Sequence, residues 1–278
     1  DVTYDDANGQ VLLTLEFAPV DPAVGKSPNQ SAVIAAINGN MGQLGGLWTV
    51  SANEIETLTG EVGTSAPAIA GGNTGQFLGF LTQPGAAPGT YVMAEGADGA
   101  MRGVSAGDTP AGSGPRVWVA PWGATGEIKG GAGTSGYDTS GYGIAAGYAA
   151  SPSEGVELGL SAGYGHAKAD SFGVGGSVEA DSVHVAVHAG FVEGPISLTG
   201  VLAYGHHRFD QQRVAVVGGV AETVTADYKG NELSAQVVAA LNVASGKIAW
   251  RPHAGASWST LWRDGYTETG STLGANLT

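Results

Sequence analysis

"VHVAVHAGF", residues 183–191, alternates without a slip. Val183, Val185, Val187, Ala189 and Phe191 fall on one parity, His184, Ala186, His188 and Gly190 on the other. Period-two alternation marks a strand with two unlike faces. A water-soluble protein has to hide the valine face against a second layer, and a membrane barrel turns it outward. Which of the two holds decides the fold.

The rest of the C-terminal half repeats this pattern. Alternating segments run over about 116–129, 137–150, 156–169, 177–191, 196–210, 222–243 and 248–262, with an incomplete eighth after Ser271. Ordinary strands have about 5–6 residues, and these have twice that or more. The apolar parity continues through Tyr142, Ile144, Ala146 and Tyr148, then Val156, Leu158, Leu160, Ala162 and Tyr164. It runs on through Ile196, Leu198, Gly200, Leu202 and Tyr204, through Leu233 to Val243, and through Ile248, Trp250, Pro252, Ala254, Ala256 and Trp258. Apart from tyrosine phenols it holds no ionisable group. The opposite parity carries Glu157, Ser161, His184, His188, Ser197, Thr199, Glu232, Ser234, Gln236, Asn242, Lys247, Arg251, His253 and Ser257. The first strand, "RVWVAPWGA" at 116–124, does not separate its faces in the sequence.

Length discriminates between a sandwich and a barrel. About 9–11 residues tilted at about 45° span a bilayer, and several of these faces have that length. Aromatic residues sit at their ends, as in the girdles of outer-membrane barrels. Short turns at "SPSEG", "VEGP" and "ASGK" alternate with longer connections near 130–136, 170–176, 211–221 and 263–271. Short turns on one side and long loops on the other is the outer-membrane pattern. The valines are read as facing lipid.

Composition agrees. Only 13% of the 278 residues are charged, 42% are apolar, and glycine occurs 48 times. A net charge of −14 disfavours nucleic acid as a partner. No run of 18 apolar residues forms a transmembrane helix. The absence of cysteine excludes disulfides and thiolate chemistry. The chain begins at Asp1 without a basic-then-apolar leader, which suggests a fragment.

Three zones are expected. Residues 1–20 read as β-strands, a hairpin around Asn8-Gly9. Residues 21–115 read as a linker with short helices. Ser27 and Pro28 open one, Ser51 and Glu54 form a capping-box pattern for another, and a third lies near 67–81 inside the barrel. Four glycines there, Gly71, Gly72, Gly75 and Gly79, each cost about 1 kcal/mol against alanine, but permit close approach. Gln83 to Pro115 reads as a long loop. Residues 116–278 read as the barrel.

These residues resemble the autotransporter β-domain of type V secretion in Gram-negative bacteria. "VWVAPWG" at Val117, "GYGIAAGYA" at Gly141, "GLSAGYGHAKAD" at Gly159 and "WRPHAGASW" at Trp250 look like its successive strands. "PNQSAVIAAI" at Pro28 and "LTGEV" at Leu58 look like the segment before the barrel, and "DVTYDDANGQVLLTL" is similar to the last rungs of a β-helical passenger. The resemblance implies a twelve-stranded antiparallel transmembrane barrel with a helix in its pore. Seven to eight of those strands fall within this text, so an open sheet is expected, with edges near 116–124 and 271–278. It implies an outer-membrane translocator, monomeric when complete, that exports and anchors an N-terminal passenger and is inserted by the barrel assembly machinery. Almost all of the passenger, the last strands and the terminal aromatic are missing from the pattern. No Asn-Asn junction occurs, so no cleavage residues carry over. Two other readings stand beside it: a passive porin-like channel, and a surface adhesin or enzyme whose activity lies in the passenger.

No catalytic, cofactor or metal site is expected, and no enzyme. Gly103-Val104-Ser105-Ala106-Gly107 matches G-x-S-x-G but lacks the strand-then-helix flanks that expose a nucleophilic serine. Gly131, Gly133 and Gly136 match G-x-G-x-x-G but precede a strand, where a dinucleotide site requires a helix. His184 and His188 lie about 13 Å apart along a strand. With Ala203 and Thr199 placed opposite them, no third ligand arrives, and they read as solvated lumen histidines. His206-His207 reads as polarity at a strand end, and Asp5-Asp6 as a turn rather than a calcium site.

Overall fold

A computed structural model describes residues 2–5, 10–13, 19–25, 27–39, 50–51, 54–82, 91–95, 101–104, 115–131, 135–172, 175–245 and 248–278. The N-terminal pair β1 (Val2–Asp5) and β2 (Gln10–Leu13) is antiparallel, with Asp5 opposite Gln10. The Asn8-Gly9 turn and Asp6 lie outside the described residues. Helix α1 (Pro28–Gly39) opens where the Ser27 Oγ accepts from the Gln30 amide at 3.1 Å. Short 3-10 turns at Ile55–Leu58 and Glu61–Ser65 lead into α2 (Ala66–Thr82). The Ser51 amide donates to Glu54 Oε2 at 2.6 Å, one half of a capping box, although a 3-10 turn follows it rather than an α-helix.

The long-loop expectation for 83–115 is corrected: β3 (Tyr91–Glu95) and β4 (Met101–Val104) form a hairpin there. Then come β5 (Arg116–Ile128), β6 (Tyr137–Ser153), β7 (Val156–Ser171), β8 (Gly176–Glu193), β9 (Ile196–Val217) and β10 (Val220–Leu241). A small pair, β11 (Val243–Ser245) and β12 (Ile248–Trp250), precedes β13 (His253–Arg263). The sheet order is β13-β10-β9-β8-β7-β6-β5-β3-β4, an open antiparallel meander of seven long strands with the short hairpin added.

Three details differ from the sequence reading. The edge at 116–124 is partly covered, because Tyr91–Ala94 pairs with Val119–Arg116. The other long-strand edge is β13; residues after Ser271 form no strand. The connection near 211–221 is no loop: β9 and β10 pair up to Val217 and Val220. Gly218 and Gly219 at φ 59° and 79° make the tight turn that only glycine or asparagine adopts cheaply. Twenty-two residues at about 3.3 Å each reach far beyond a 30 Å hydrocarbon layer, so this hairpin stands out from the membrane.

The faces separate as the alternation demands. Val183, Val185, Val187 and Phe191 are 54%, 51%, 49% and 45% exposed, whereas His184 and His188 are 1% and 5% exposed. Tyr142, Ile144, Leu160, Leu198, Leu202, Val237 and Trp258 extend the exposed apolar face over the whole sheet. Among the described residues no second protein layer covers the valines. On β5 the inner parity is Trp118, Ala120 and Trp122, which the sequence left unassigned because tryptophan occupies the inside.

The concave face holds α2, packed against β6 to β10. Seventeen residues at 1.5 Å each make a helix about 26 Å long, close to the thickness of the hydrocarbon core. Its glycines cost about 4 kcal/mol in propensity. Burial of Ile69, Phe77, Leu78, Phe80 and Leu81 offsets this, at about 1.5–3 kcal/mol for each large side chain. The sheet supplies notches for them. A Cβ at Gly163 would stand 2.7 Å from the Phe77 ring, and one at Gly165 would stand 3.1 Å from Asn73. At these two glycines the helix comes close, whereas Gly147, Gly159 and Gly205 make room for the Trp118, His188 and His184 side chains of the wall itself.

Candidate functional site

Helix α2 carries one adjacent polar pair among its buried positions, Asn73 and Thr74, and both turn toward β8, β9 and β10. Asn73 Nδ2 donates to Ser182 Oγ at 2.9 Å. Ser182 Oγ lies 2.9 Å from His207 Nδ1, and His207 Nε2 lies 3.0 Å from Glu232 Oε2. Thr74 Oγ1 donates to the same Glu232 oxygen at 2.7 Å and lies 3.0 Å from His184 Nε2. Ser234 donates to Glu232 Oε1 at 3.0 Å, and Ser259 also donates to Oε1.

One assignment of protons satisfies the whole chain of contacts. Ser182 gives its hydroxyl proton to His207 Nδ1, His207 Nε2–H donates to Glu232, and His184 Nε2–H donates to Thr74. A carboxylate only 2% exposed is very costly without partners. Glu232 has four, contributed by the helix and three strands. His184 also stacks on Phe77, ring centroids 5.2 Å apart. The arrangement is a clasp between helix and wall, in which Asn73 Oδ1 is a buried polar atom without a partner.

Several sequence expectations are corrected here. His184 and His188 are buried, not solvated, because α2 lies over His184 and Glu157 lies 3.6 Å from His188 Nε2. Opposite them stand Gly205 and Val201 rather than Ala203 and Thr199, since the turn is Gly194-Pro195 and Glu193 pairs with Ile196. A shift of two residues preserves the faces. His206-His207 is mid-strand: His206 points outward to Asn231, and His207 is fully buried in the clasp. Serine 105 of the G-x-S-x-G match and Gly133 of the G-x-G-x-x-G match lie outside the described residues. Gly131 and Gly136 flank the β5–β6 connection.

A second cluster lies under the protruding hairpin. Arg213, 2% exposed, makes a bidentate pair with Glu268 at 2.9 and 2.5 Å, and donates to the Thr57 and Ala275 carbonyls. Ile34, Ile37, Ile55, Leu58, Val217, Val224 and Ala275 pack beside it. The segment expected as an eighth strand thus folds inward against the turns ahead of α2, where Ala275 packs with Ile55 and Leu58 and Leu277 lies beside Gly60. At the opposite end, Arg116 meets Glu157 at 2.5 Å, and Thr82 shares a cleft with Ser197 and Arg251. Glu232 and His184 stood on the inner parity in the sequence, but nothing there showed that a helix would seal them. Arg213 and Glu268 gave no sequence signal, because 55 residues separate them.

The inward polar wall, outward apolar face and inserted helix are shared with known proteins. The family model for the autotransporter β-domain matches residues 117–278. The fold is similar to the translocator domain of autotransporter NalP from Neisseria meningitidis, with a TM-score of 0.55 and 17% sequence identity. That match covers 75% of this chain, and this chain spans 64% of the length of that one. A comparison with curated proteins returned no match. With more than half of its residues inside the family match, the chain belongs to the autotransporter β-domain family, a non-catalytic β-barrel family of the bacterial outer membrane.

Proposed function

We propose that this domain exports an N-terminal passenger and anchors it at the cell surface. One observation carries the reading. Helix α2 begins beside Phe209 and Tyr228 of the protruding hairpin and ends, at Thr82, beside Ser197 at the opposite end of the sheet. The chain therefore runs through the concavity from end to end. Ile34, Ile55, Leu58 and Val62, ahead of α2, pack at the hairpin end, which this reading places outside the cell. Residues 1–20 are then the last part of the passenger, 21–115 the linker with its pore helix, and 116–278 the barrel. The polar inner wall offers a passing polypeptide hydrogen-bond partners, and the helix occupies the path afterwards. Insertion by the barrel assembly machinery and a monomeric state belong to the same reading, and any enzymatic or adhesive activity resides in the passenger.

The experiment is an epitope fused ahead of Asp1, probed on intact cells with an antibody and a protease. Labelling of intact cells, with release of the epitope on shaving, is expected. Protection of the epitope until the outer membrane is opened would place the N-terminal residues in the periplasm and leave the porin-like channel.

A further inference from the structure

Strand register on the convex face sorts its chemistry by height. One row is Leu160, Val187, Leu202, Ala235 and Trp258, entirely apolar. Two rows higher stand Tyr164, Val183, His206, Asn231 and Trp262, an interfacial set. The next row is His166, Asp181, Arg208 and Lys229, and the one beyond is Lys168, Glu179, Asp210 and Asp227.

Arg208 and Lys229 face each other directly across β9 and β10, both exposed. Like charges opposite one another destabilise a sheet, so sheet energetics do not account for the pair. Among the described residues neither head group has an ion-pair partner within 4.0 Å. Asp181, the carboxylate of the same row, is already engaged by the Tyr164 hydroxyl at 2.5 Å and by His166 at 3.0 Å. The two cations border a shallow recess of about 380 Å³, closed on its upper side by Asp210 and Asp227.

We propose that Arg208 and Lys229 bind the phosphate of a membrane lipid headgroup. Depth supports this. Arg208 stands four residues above Tyr204, about 13 Å along the strand and about 9 Å along the normal of a sheet tilted near 45°. That places its side chain, which can bend back toward the membrane, in the headgroup layer. Charge selects the direction of approach. Glu179 is paired with Lys168 at 3.8 Å, but Asp210 and Asp227 on the water side of the recess repel an anion arriving from water, so a phosphate reaches the pair from the bilayer side. The exposed Trp262 one row below supplies an apolar flank for the glycerol and upper acyl chain. A lipid phosphate satisfies all of these conditions, and a free phosphate only the first. The inference rests on the lipid-facing reading of the convex face.

The test is electron paramagnetic resonance on the protein in phosphatidylcholine vesicles, with spin-labelled phosphatidic acid compared with spin-labelled phosphatidylcholine. A motionally restricted fraction favouring phosphatidic acid by about fivefold per cation is expected at low salt. Arg208→Gln with Lys229→Gln should remove that preference, while Arg208→Lys with Lys229→Arg keeps it, and Arg251→Gln at the other end leaves it unchanged. Equal association of the two lipids, or a preference that survives the double glutamine variant, overturns the proposal. Loss of the preference on adding inorganic phosphate reassigns the pair to the free ion and also overturns it. If neither lipid shows a restricted fraction, the lipid-facing reading itself has failed.

Discussion

Replacing Val187 by arginine puts a charge at the middle of the apolar band. On β8 the band runs from Val183 to Phe191, eight steps of about 3.3 Å, or about 26 Å along the strand and about 19 Å along the normal at 45° tilt. Val187 is therefore about 9 Å from either edge, beyond what an arginine stem spans without deforming the bilayer. The expected loss is about 2–4 kcal/mol, falling to about 0–1 kcal/mol for Val183→Arg at the edge. Ser257→Arg, on the inner parity of β13 and exposed to water, should cost less than about 1 kcal/mol. Ala186→Arg is no wet control, since Ala186 is buried beside Phe77 and Phe80 and a large side chain there overpacks the helix contact. The assay is reversible guanidinium unfolding from phosphatidylcholine vesicles, followed by tryptophan emission. Equal losses for Val187→Arg and Ser257→Arg would refute the face assignment, because burial between two protein layers penalises by packing and not by depth.

Three further outcomes follow from the interior. A short bifunctional thiol reagent should cross-link Asn73→Cys to Ser182→Cys, whose native Nδ2 and Oγ atoms are 2.9 Å apart, and gel mobility reads it; absence of the cross-link in folded protein places the helix elsewhere. Arg213→Ala leaves Glu268 buried without its counter-charge, held only by Gln211 Nε2 at 3.2 Å and the Leu277 amide at 2.9 Å, a loss of about 3 kcal/mol, and hydrogen exchange should report it as release of residues 264–278 while the bilayer-spanning strands stay protected. Glu54 has burial working to raise its pKa, but the Ser51 and Gly219 amides that donate to it prevail, and its carboxyl titrates below its usual range. A depressed acid stabilises above its unfolded value and loses that contribution as pH falls through the folded one. The Gly219 amide resonance should therefore shift with an acidic midpoint below the normal glutamate range, and Glu54→Gln should abolish the titration.

The outward parity was legible because lipid contact imposes one rule on every second residue, and nothing else in the sheet competes with it. Strand ends were less so. Gln211-Gln212-Arg213 and then Gly218-Gly219 break the apolar pattern over 211–221, so the stretch reads as a loop until the buried partners of Gln211 and Arg213 are known. The histidines show the same limit from the inside. Parity placed His184 and His188 in the lumen, but their burial depends on a glycine-rich helix more than a hundred residues earlier. The helix fits there because Gly163 and Gly165 leave room for Phe77 and Asn73. Alternation reports which side of the wall a residue takes, and long-range docking decides whether that side is wet.

The most direct measurement returns to residues 183–191. Nitroxides placed singly along this stretch, in protein inserted into phosphatidylcholine vesicles, report collisions with dissolved oxygen and with a water-soluble nickel chelate. The account predicts oxygen-rich, nickel-poor positions at Val183, Val185, Val187, Ala189 and Phe191, deepest at Val187, alternating with immobile, poorly accessible ones at His184, Ala186 and His188. Nickel access equal to oxygen access at the valine positions, or the same low access on both parities, would contradict a lipid-facing barrel wall.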